Sequence, residues 1–157
     1  MTRVQTASQG VSLAAEIEQH LADFYDTLAS LYGNSVADLP MLAEDSRKSA
    51  KVVRRTYYSA ITDAVESAYC FDIDPAVYLP QANISPGTPL REALARAAAN
   101  ESMAMEFYSA AGEQCRALIA DLAHAFLHLS GKHGARRLKV RALASSAPDP
   151  SPKASPR

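Results

Sequence analysis

Apolar residues recur at intervals of three and four along four stretches of the chain, which is the spacing of an amphipathic helix. Each stretch is long enough to span a small domain, and the gaps between them are rich in Pro, Gly and Asn. The pattern therefore predicts an all-α protein. The four predicted helices span residues 12–32, 41–69, 88–112 and 113–144, with a break at the end of the third placed at Gly112.

The segment between the second and third predicted helices, Cys70 to Pro89, holds four prolines and cannot form one regular element. A connector of this length lets the chain cross the bundle instead of turning back at once. We therefore expect a four-helix bundle with one long crossover between helices 2 and 3. The predicted organisation is a flexible N-terminus over 1–11, the bundle over 12–144 and a disordered tail over 145–157.

A short motif occurs twice, each time at the same place in a predicted hairpin of helices. It consists of a Glu, five intervening residues and then Phe-Tyr, and a second matched position lies downstream in each half. Two offsets that agree within one residue indicate an internal duplication of a helix pair. The matching positions are Glu18 and Glu101 (83 residues apart), Tyr25 and Tyr108, Ser46 and Ser130, and Ser49 and His133 (84 residues apart).

Three ionisable side chains fall on or beside apolar helix faces. Glu101 lies in the middle of the apolar stripe of its helix, Glu18 lies at the edge of its own, and His133 lies on the stripe of the fourth helix. An ionised carboxylate in a core is costly unless it is paired, hydrogen-bonded or bound to a metal. These three residues are therefore the candidate site.

The repeated motif resembles the ferritin-like superfamily, and is most similar to its rubrerythrin-like branch, over residues 12–140. In that family helices 1 and 3 each provide a Glu within a segment that ends Glu-x5-Phe-Tyr. Helices 2 and 4 each provide a Glu-x-x-His motif, and together these ligands hold two iron ions. The resemblance implies oxygen or peroxide chemistry at reduced iron, and an assembly of two or more subunits.

This chain departs from the family pattern at three of the six ligand positions, where Ser46, Ser49 and Ser130 stand. A neutral hydroxyl is a poor iron ligand beside a carboxylate or an imidazole. The resemblance therefore implies an incomplete di-iron ligand set, of which Glu18, Glu101 and His133 remain.

Three interpretations of this set stay open. The three residues could hold one ion of iron, manganese or zinc. They could instead form a polar centre without metal, in which protonated carboxyl groups bond to each other, to His133 or to the hydroxyls of Tyr25 and Tyr108. If the two helices are turned differently from the predicted register, Glu18 and Glu101 would lie on the surface.

Two classes of function follow from these interpretations. The first is a non-catalytic binding or accessory protein without a cofactor, with no catalytic residues. The alternative is a divergent metal-dependent oxidase or peroxide reductase that uses iron or manganese at Glu18, Glu101 and His133. A third, weaker hypothesis is a small ligand bound in the vacated centre.

Composition narrows the setting without deciding the function. The chain has 157 residues, of which 48% are apolar and 21% charged, and a net charge of −1 offers no argument for nucleic acid or for a membrane surface. Two cysteines do not form a disulfide framework, so we expect a reducing cytoplasmic setting. The expected assembly is a homo-oligomer, most simply a dimer, with a possible protein partner and without nucleic acid or membrane.

Two further sets of residues are assigned to solvated or interface surfaces. His124 and His128 have the i, i+4 spacing of a helical metal pair but lie away from the stripe of His133. The pairs Arg54-Arg55 and Arg136-Arg137 occupy similar places in the two halves; they could form a basic patch for an anion or a partner, but solvated helix faces are the favoured interpretation.

Overall fold

The computed structural model describes residues 2–33, 35–60, 68–81 and 83–147. Over these residues it confirms the predicted all-α fold, with four helices and one small sheet of two strands. The helices are α1 (Ala7–Tyr32), α2 (Leu39–Ala60), α3 (Leu90–Cys115) and α4 (Ala120–Ser146), and the strands are β1 (Val4–Thr6) and β2 (Tyr69–Ile73).

The helices pack as two hairpins laid side by side. α1 packs on α2 and α3 packs on α4, each across a short connection, while α1 also lies beside α3 and α2 beside α4. α2 and α3 therefore occupy diagonal corners, and the segment that joins them must cross the bundle. The predicted long crossover is confirmed.

The first helix begins at Ala7, five residues before the predicted start at Ser12. Thr6 is the N-cap because its hydroxyl accepts a hydrogen bond from the backbone N–H of Gln9, at 3.2 Å. The Gln9 side chain in turn accepts from the N–H of Thr6, at 3.1 Å, which completes a capping box. Residues 4–11 thus have regular secondary structure where the sequence predicted a flexible N-terminus.

The sheet joins the N-terminus to the crossover. β1 and β2 pair antiparallel, with Val4 opposite Ile73 and Thr6 opposite Tyr69, and the register is irregular between these pairs. The predicted end of the second helix at Tyr69 is wrong, because Tyr69 begins β2. The structure describes α2 over Leu39–Ala60. The intervening part of that prediction, residues 61–67, lies outside the described residues.

The predicted break at Gly112 is also wrong, since α3 continues to Cys115. A Cβ atom at Gly112 would come within 2.7 Å of Leu127 Cδ2, so this glycine lets α3 and α4 approach closely. α4 consequently starts at Ala120 instead of Glu113. It extends through Ser145 and Ser146, the first two residues of the predicted tail, and the tail prediction for 148–157 lies outside the described residues.

The apolar core consists of two clusters, one towards each end of the bundle. One cluster includes Leu21, Phe107 and Phe126, and the other includes Leu28 and Leu94. Buried polar residues from all four helices lie between the two clusters. No helix in the described part of the chain is long and apolar enough to cross a membrane.

Candidate functional site

The three ionisable residues singled out in the sequence meet at the centre of the bundle. Glu18 comes from α1, Glu101 from α3 and His133 from α4, and each has 0% of its surface exposed. They belong to a set of contacting side chains that we call the polar layer. The polar layer consists of Glu18, Tyr25, Glu101, Tyr108, His133 and Arg136.

His133 bridges the two carboxylates. Its Nδ1 lies 2.6 Å from Glu101 Oε2, and its Nε2 lies 2.6 Å from Glu18 Oε1. A neutral imidazole has one donor and one acceptor nitrogen, whereas both nitrogens here face carboxylate oxygens, so the ring is an imidazolium that donates twice. Burial alone would lower the pKa of His133, but the charge of Glu18 and the hydrogen bonds to both carboxylates outweigh it and raise this pKa to about 9.

The two repeated tyrosines bond across the repeat. Tyr25 donates its hydroxyl to Glu101 Oε1 at 2.7 Å, and Tyr108 donates to Glu18 Oε1 at 2.8 Å. Burial, and then the neighbouring carboxylate, raise the pKa of each tyrosine well above its ordinary value, so both remain donors. The Tyr108 ring also stacks on the ring of His133, with centroids 5.4 Å apart and planes 10° from parallel.

Arg136 completes the polar layer, which corrects its assignment to a solvated face. Only 7% of Arg136 is exposed, and its Nη2 lies 3.1 Å from Glu101 Oε1. The same nitrogen donates to the carbonyl oxygen of Leu42 at 3.1 Å and to Ser46 Oγ at 2.8 Å. Its guanidinium carbon lies 5.6 Å from the centroid of the Tyr25 ring, in a cation–π contact.

The charges of the polar layer balance. Burial by itself would raise the pKa of Glu101, but the hydrogen bond from His133 and the charges of His133 and Arg136 lower it below its ordinary value. Glu101 is therefore ionised, in contrast to the protonated carboxyl considered from the sequence. Two carboxylates face one imidazolium and one guanidinium.

The three serines at family ligand positions have different partners. Ser46 accepts the hydrogen bond from Arg136, whereas Ser49 donates to the carbonyl oxygen of Asp45 at 3.0 Å in its own helix. Ser130 donates to the carbonyl oxygen of Met105 at 2.9 Å. Of these three serines, only Ser46 is bonded to the polar layer.

The side chains present, in this arrangement, do not fit a two-metal centre. Both nitrogens of His133 are committed to carboxylates, so no imidazole nitrogen is free to ligate. Within the described ranges, no group of three or more His, Cys, Asp or Glu side chains is arranged to hold a metal ion. Two atoms of the layer, Glu18 Oε2 and Arg136 Nε, are buried without a hydrogen-bond partner among the described residues.

The polar layer is also closed to solvent. With Glu18, Glu101 and His133 at 0% exposure, a substrate cannot touch them in this conformation. The groove between α1 and α2, with a volume of about 400 Å³, is lined by other residues, among them His20, Arg54 and Tyr58.

Comparisons of the chain with protein-family models, with curated proteins and with solved structures found no match. The resemblance to the ferritin-like superfamily thus rests on the repeated motif alone and stays a prediction.

Proposed function

We propose that this protein is a non-catalytic binding or accessory protein, built on a ferritin-like, rubrerythrin-like bundle whose centre works without a metal. The observation that carries this proposal is the double hydrogen bond of His133 to Glu18 and Glu101. A ring that donates through both nitrogens acts as a cation towards the carboxylates, and a cation is what a metal would supply there.

Arg136 also supplies a positive charge to the polar layer. Arg136 lies against Glu101 and also bonds Ser46, the residue that stands at a ligand position of the family. A serine is an adequate acceptor for a guanidinium although it is a poor ligand for iron. The exchange of Glu for Ser and the presence of Arg136 are therefore consistent with one another in a metal-free centre.

The alternative is a metal-dependent oxidase or peroxide reductase with one iron or manganese ion. The observation that favours it is the buried Glu18 Oε2, which has no partner among the residues that the structure describes. In that case Glu18, Glu101 and His133 would hold the ion after His133 had lost a proton. The ion would supply redox chemistry with oxygen or peroxide.

Metal content separates the two functions. We would measure iron, manganese and zinc by mass spectrometry on protein purified without tag-derived metal, before and after anaerobic loading with Fe(II). We expect no stoichiometric metal, and an unchanged melting temperature on addition of each ion. About one ion per chain, lost in Glu18→Gln, would support the alternative, and two ions per chain would refute the proposal.

The setting and assembly belong to the same proposal. Both cysteines, Cys70 and Cys115, are free thiols, which suits a reducing compartment such as the cytoplasm. We propose a homodimer, because seven large apolar side chains of the described residues are exposed, including Tyr58 and Tyr69. Light scattering coupled to size-exclusion chromatography tests this, and the mass of a single chain would contradict it.

A further inference from the structure

The groove on the surface between α1 and α2 lies apart from the polar layer. Its volume is about 400 Å³, and small-ligand sites in proteins range from about 300 to 1,000 Å³. α1 lines it over roughly three turns, from Ser8 to His20, and α2 lines it over roughly one turn, from Arg54 to Tyr58. We call it the α1/α2 groove.

The second half of the chain carries a groove at the matching place, between α3 and α4. Its volume is about 490 Å³. Four residues of α1 that line the first groove have counterparts that line the second, each 83 residues further on, which is the spacing that separates Glu18 from Glu101. The pairs are Val11 and Leu94, Ser12 and Ala95, Ala15 and Ala98, and Glu16 and Ala99. The groove is therefore a feature of the repeated hairpin, and the residues that differ distinguish the first copy from the second.

Small side chains at matching positions leave room for both grooves. Ala15 and Ala98 occupy the same place in the two copies, and both are buried. The distance between two packed helices depends on the side chains at their contact, and a methyl group fills little of the space between them. The shape of the two grooves is thus shared, and their chemistry is not.

Among the described residues, aromatic rings line the first groove but not the second. Tyr57 and Tyr58 have ring centroids 5.7 Å apart, with planes at 52°. Tyr57 is buried, whereas 69% of Tyr58 is exposed, so a planar ligand can pack against the ring of Tyr58. The residues 84 positions further on are Arg141 and Ala142.

The α1/α2 groove has a charged group on each wall. On the α1 wall, Glu16 already has a local partner, since its Oε1 lies 3.6 Å from Nε2 of His20. On the α2 wall, Arg54 forms no ion pair with any residue in the described ranges. The charged group that remains for a ligand is therefore a guanidinium, which presents planar, paired donors that match a carboxylate.

We propose that the α1/α2 groove binds a small aromatic carboxylate. Arg54 donates to the carboxylate, and Tyr58 packs against the aromatic ring in an offset or edge-to-face arrangement. Glu16 on the opposite wall disfavours ligands with several negative charges, such as phosphate esters, because like charges placed close together repel. This ligand class gives the proposed binding protein a small-molecule partner, and in that sense the inference rests on the proposed function.

The test is a titration of the purified protein with 2-naphthoate, followed by isothermal calorimetry. For a ligand of this size we expect a dissociation constant of about 1 mM or lower. 2-Naphthylmethylamine reverses the charge of the ligand and should bind at least about tenfold more weakly. Decahydro-2-naphthoate keeps the carboxylate without the aromatic ring and should bind about two- to tenfold more weakly.

Two variants test the two contacts separately. Arg54→Gln should raise the dissociation constant of 2-naphthoate at least about tenfold, because it replaces a charged donor with a neutral one. Tyr58→Ala, which introduces the residue found at the matching position 142, should raise it about two- to tenfold.

The matched control is Arg141→Gln, which removes the arginine that lines the second groove and changes the net charge equally. We expect this variant to bind 2-naphthoate within about twofold of the unmodified protein, because exposed charges beyond about 10 Å are screened. Circular dichroism establishes that each variant is folded. Equal losses in Arg54→Gln and Arg141→Gln would overturn the proposal, since the carboxylate would then be attracted by surface charge in general.

Three other results would also overturn the proposal. Equal binding of decahydro-2-naphthoate would reduce the groove to an apolar cleft, and tighter binding of the amine would assign it to a cation held by Glu16. Absence of binding of 2-naphthoate up to about 10 mM would make it an ordinary surface depression. Metal content distinguishes these failures from failure of the proposed function, since a metal-free protein that does not bind 2-naphthoate refutes this ligand class alone.

Discussion

α2 and α4 occupy matching places in the two halves of the chain, yet only α4 supplies positive charge to the polar layer. At the matched position, Ser49 of α2 bonds its own helix, whereas His133 of α4 joins two carboxylates from two other helices. Ser46 of α2 serves only as an acceptor for Arg136. A symmetric pair of carboxylates therefore does not need symmetric partners, because one helix can neutralise both.

The asymmetry has a physical consequence for stability. Breaking a buried ion pair by removing one partner leaves a charge without compensation, which is costlier than losing a neutral hydrogen bond. The polar layer should therefore be sensitive to changes in α4 and tolerant of changes at the matching positions of α2.

The largest effect is expected from His133→Ala. This variant leaves Glu18 and Glu101 buried with one cation fewer, and should lower the free energy of unfolding by about 3–5 kcal/mol. Ser49→Ala is the matched control and should cost no more than about 1 kcal/mol, because it removes one local hydrogen bond. Urea denaturation at pH 6.5 measures both, and equal losses would show that the two helices contribute alike.

The next largest effect is the dependence of stability on pH. The pKa of His133 rises from 6.5 to about 9 on folding, so between these values the folded protein holds a proton that the unfolded chain releases. The free energy of unfolding should therefore fall by about 3 kcal/mol as the pH rises through this window. The lowered pKa of Glu101 acts oppositely, with its stabilisation lost as the pH falls below the ordinary carboxyl range.

Urea titrations from pH 6 to pH 10 check this prediction. His133→Gln should remove the decline above neutral pH, while Ser49→Ala should retain it. A flat profile for the unmodified protein would mean that His133 is neutral in the fold.

A smaller effect is expected where the two helices touch. Ser46→Ala takes one acceptor from Arg136 and should cost about 1.5–3 kcal/mol, as for a hydrogen bond to a charged group. In an Arg136→Met background the same change should cost little, since the donor is gone. A double-mutant cycle measures this coupling, and additive costs would indicate that Ser46 and Arg136 act independently.

The smallest effect concerns Gly131, a glycine inside α4 that has no counterpart in α2. A Cβ at Gly131 would meet nothing within 4 Å, whereas α2 has Arg47 at the matching position. Gly131→Ala should therefore stabilise the protein by about 0.5–1 kcal/mol. Gly10→Ala is the contrasting control, because its Cβ would overlap the ring of Phe71, and it should be destabilising. Thermal unfolding compares the two, and a loss of stability in Gly131→Ala would contradict the helix-propensity argument.

Helical spacing and the repeat were sufficient to identify the acids and the histidine that meet in the core. Glu101 and His133 lie on apolar stripes, and an ionisable residue in such a place has few alternatives to a buried partner. Arg136 was missed although it also lies on its stripe, three residues after His133. In the sequence it stands beside Arg137 and looks like part of an exposed basic pair, and its burial depends on acceptors in α2, such as Leu42, that only the tertiary structure brings near.

The ends of the helices depend on tertiary contacts that a local sequence pattern does not show. The apolar periodicity of the second helix has no breaker before Tyr69, whereas β2 exists because β1 pairs with it from the far end of the sequence. From the sequence alone, Gly112 is interpreted as a helix break. In the fold it is a position of close helix packing, because Leu127 occupies the space that a side chain would need.

The pairing of β1 with β2 also bears on how the chain is made. The strand Val4–Thr6 has its partner in Tyr69–Ile73, beyond both α1 and α2 in the chain. At ordinary elongation rates the partner is synthesised roughly 3–14 s later. The backbone N–H of Ala7 donates to the carbonyl oxygen of Ala68 at 3.2 Å, and this hydrogen bond forms after a similar delay. The sheet therefore forms only after α1 and α2 have been synthesised, whereas the contacts of Glu18 and Leu42 with α4 form later still.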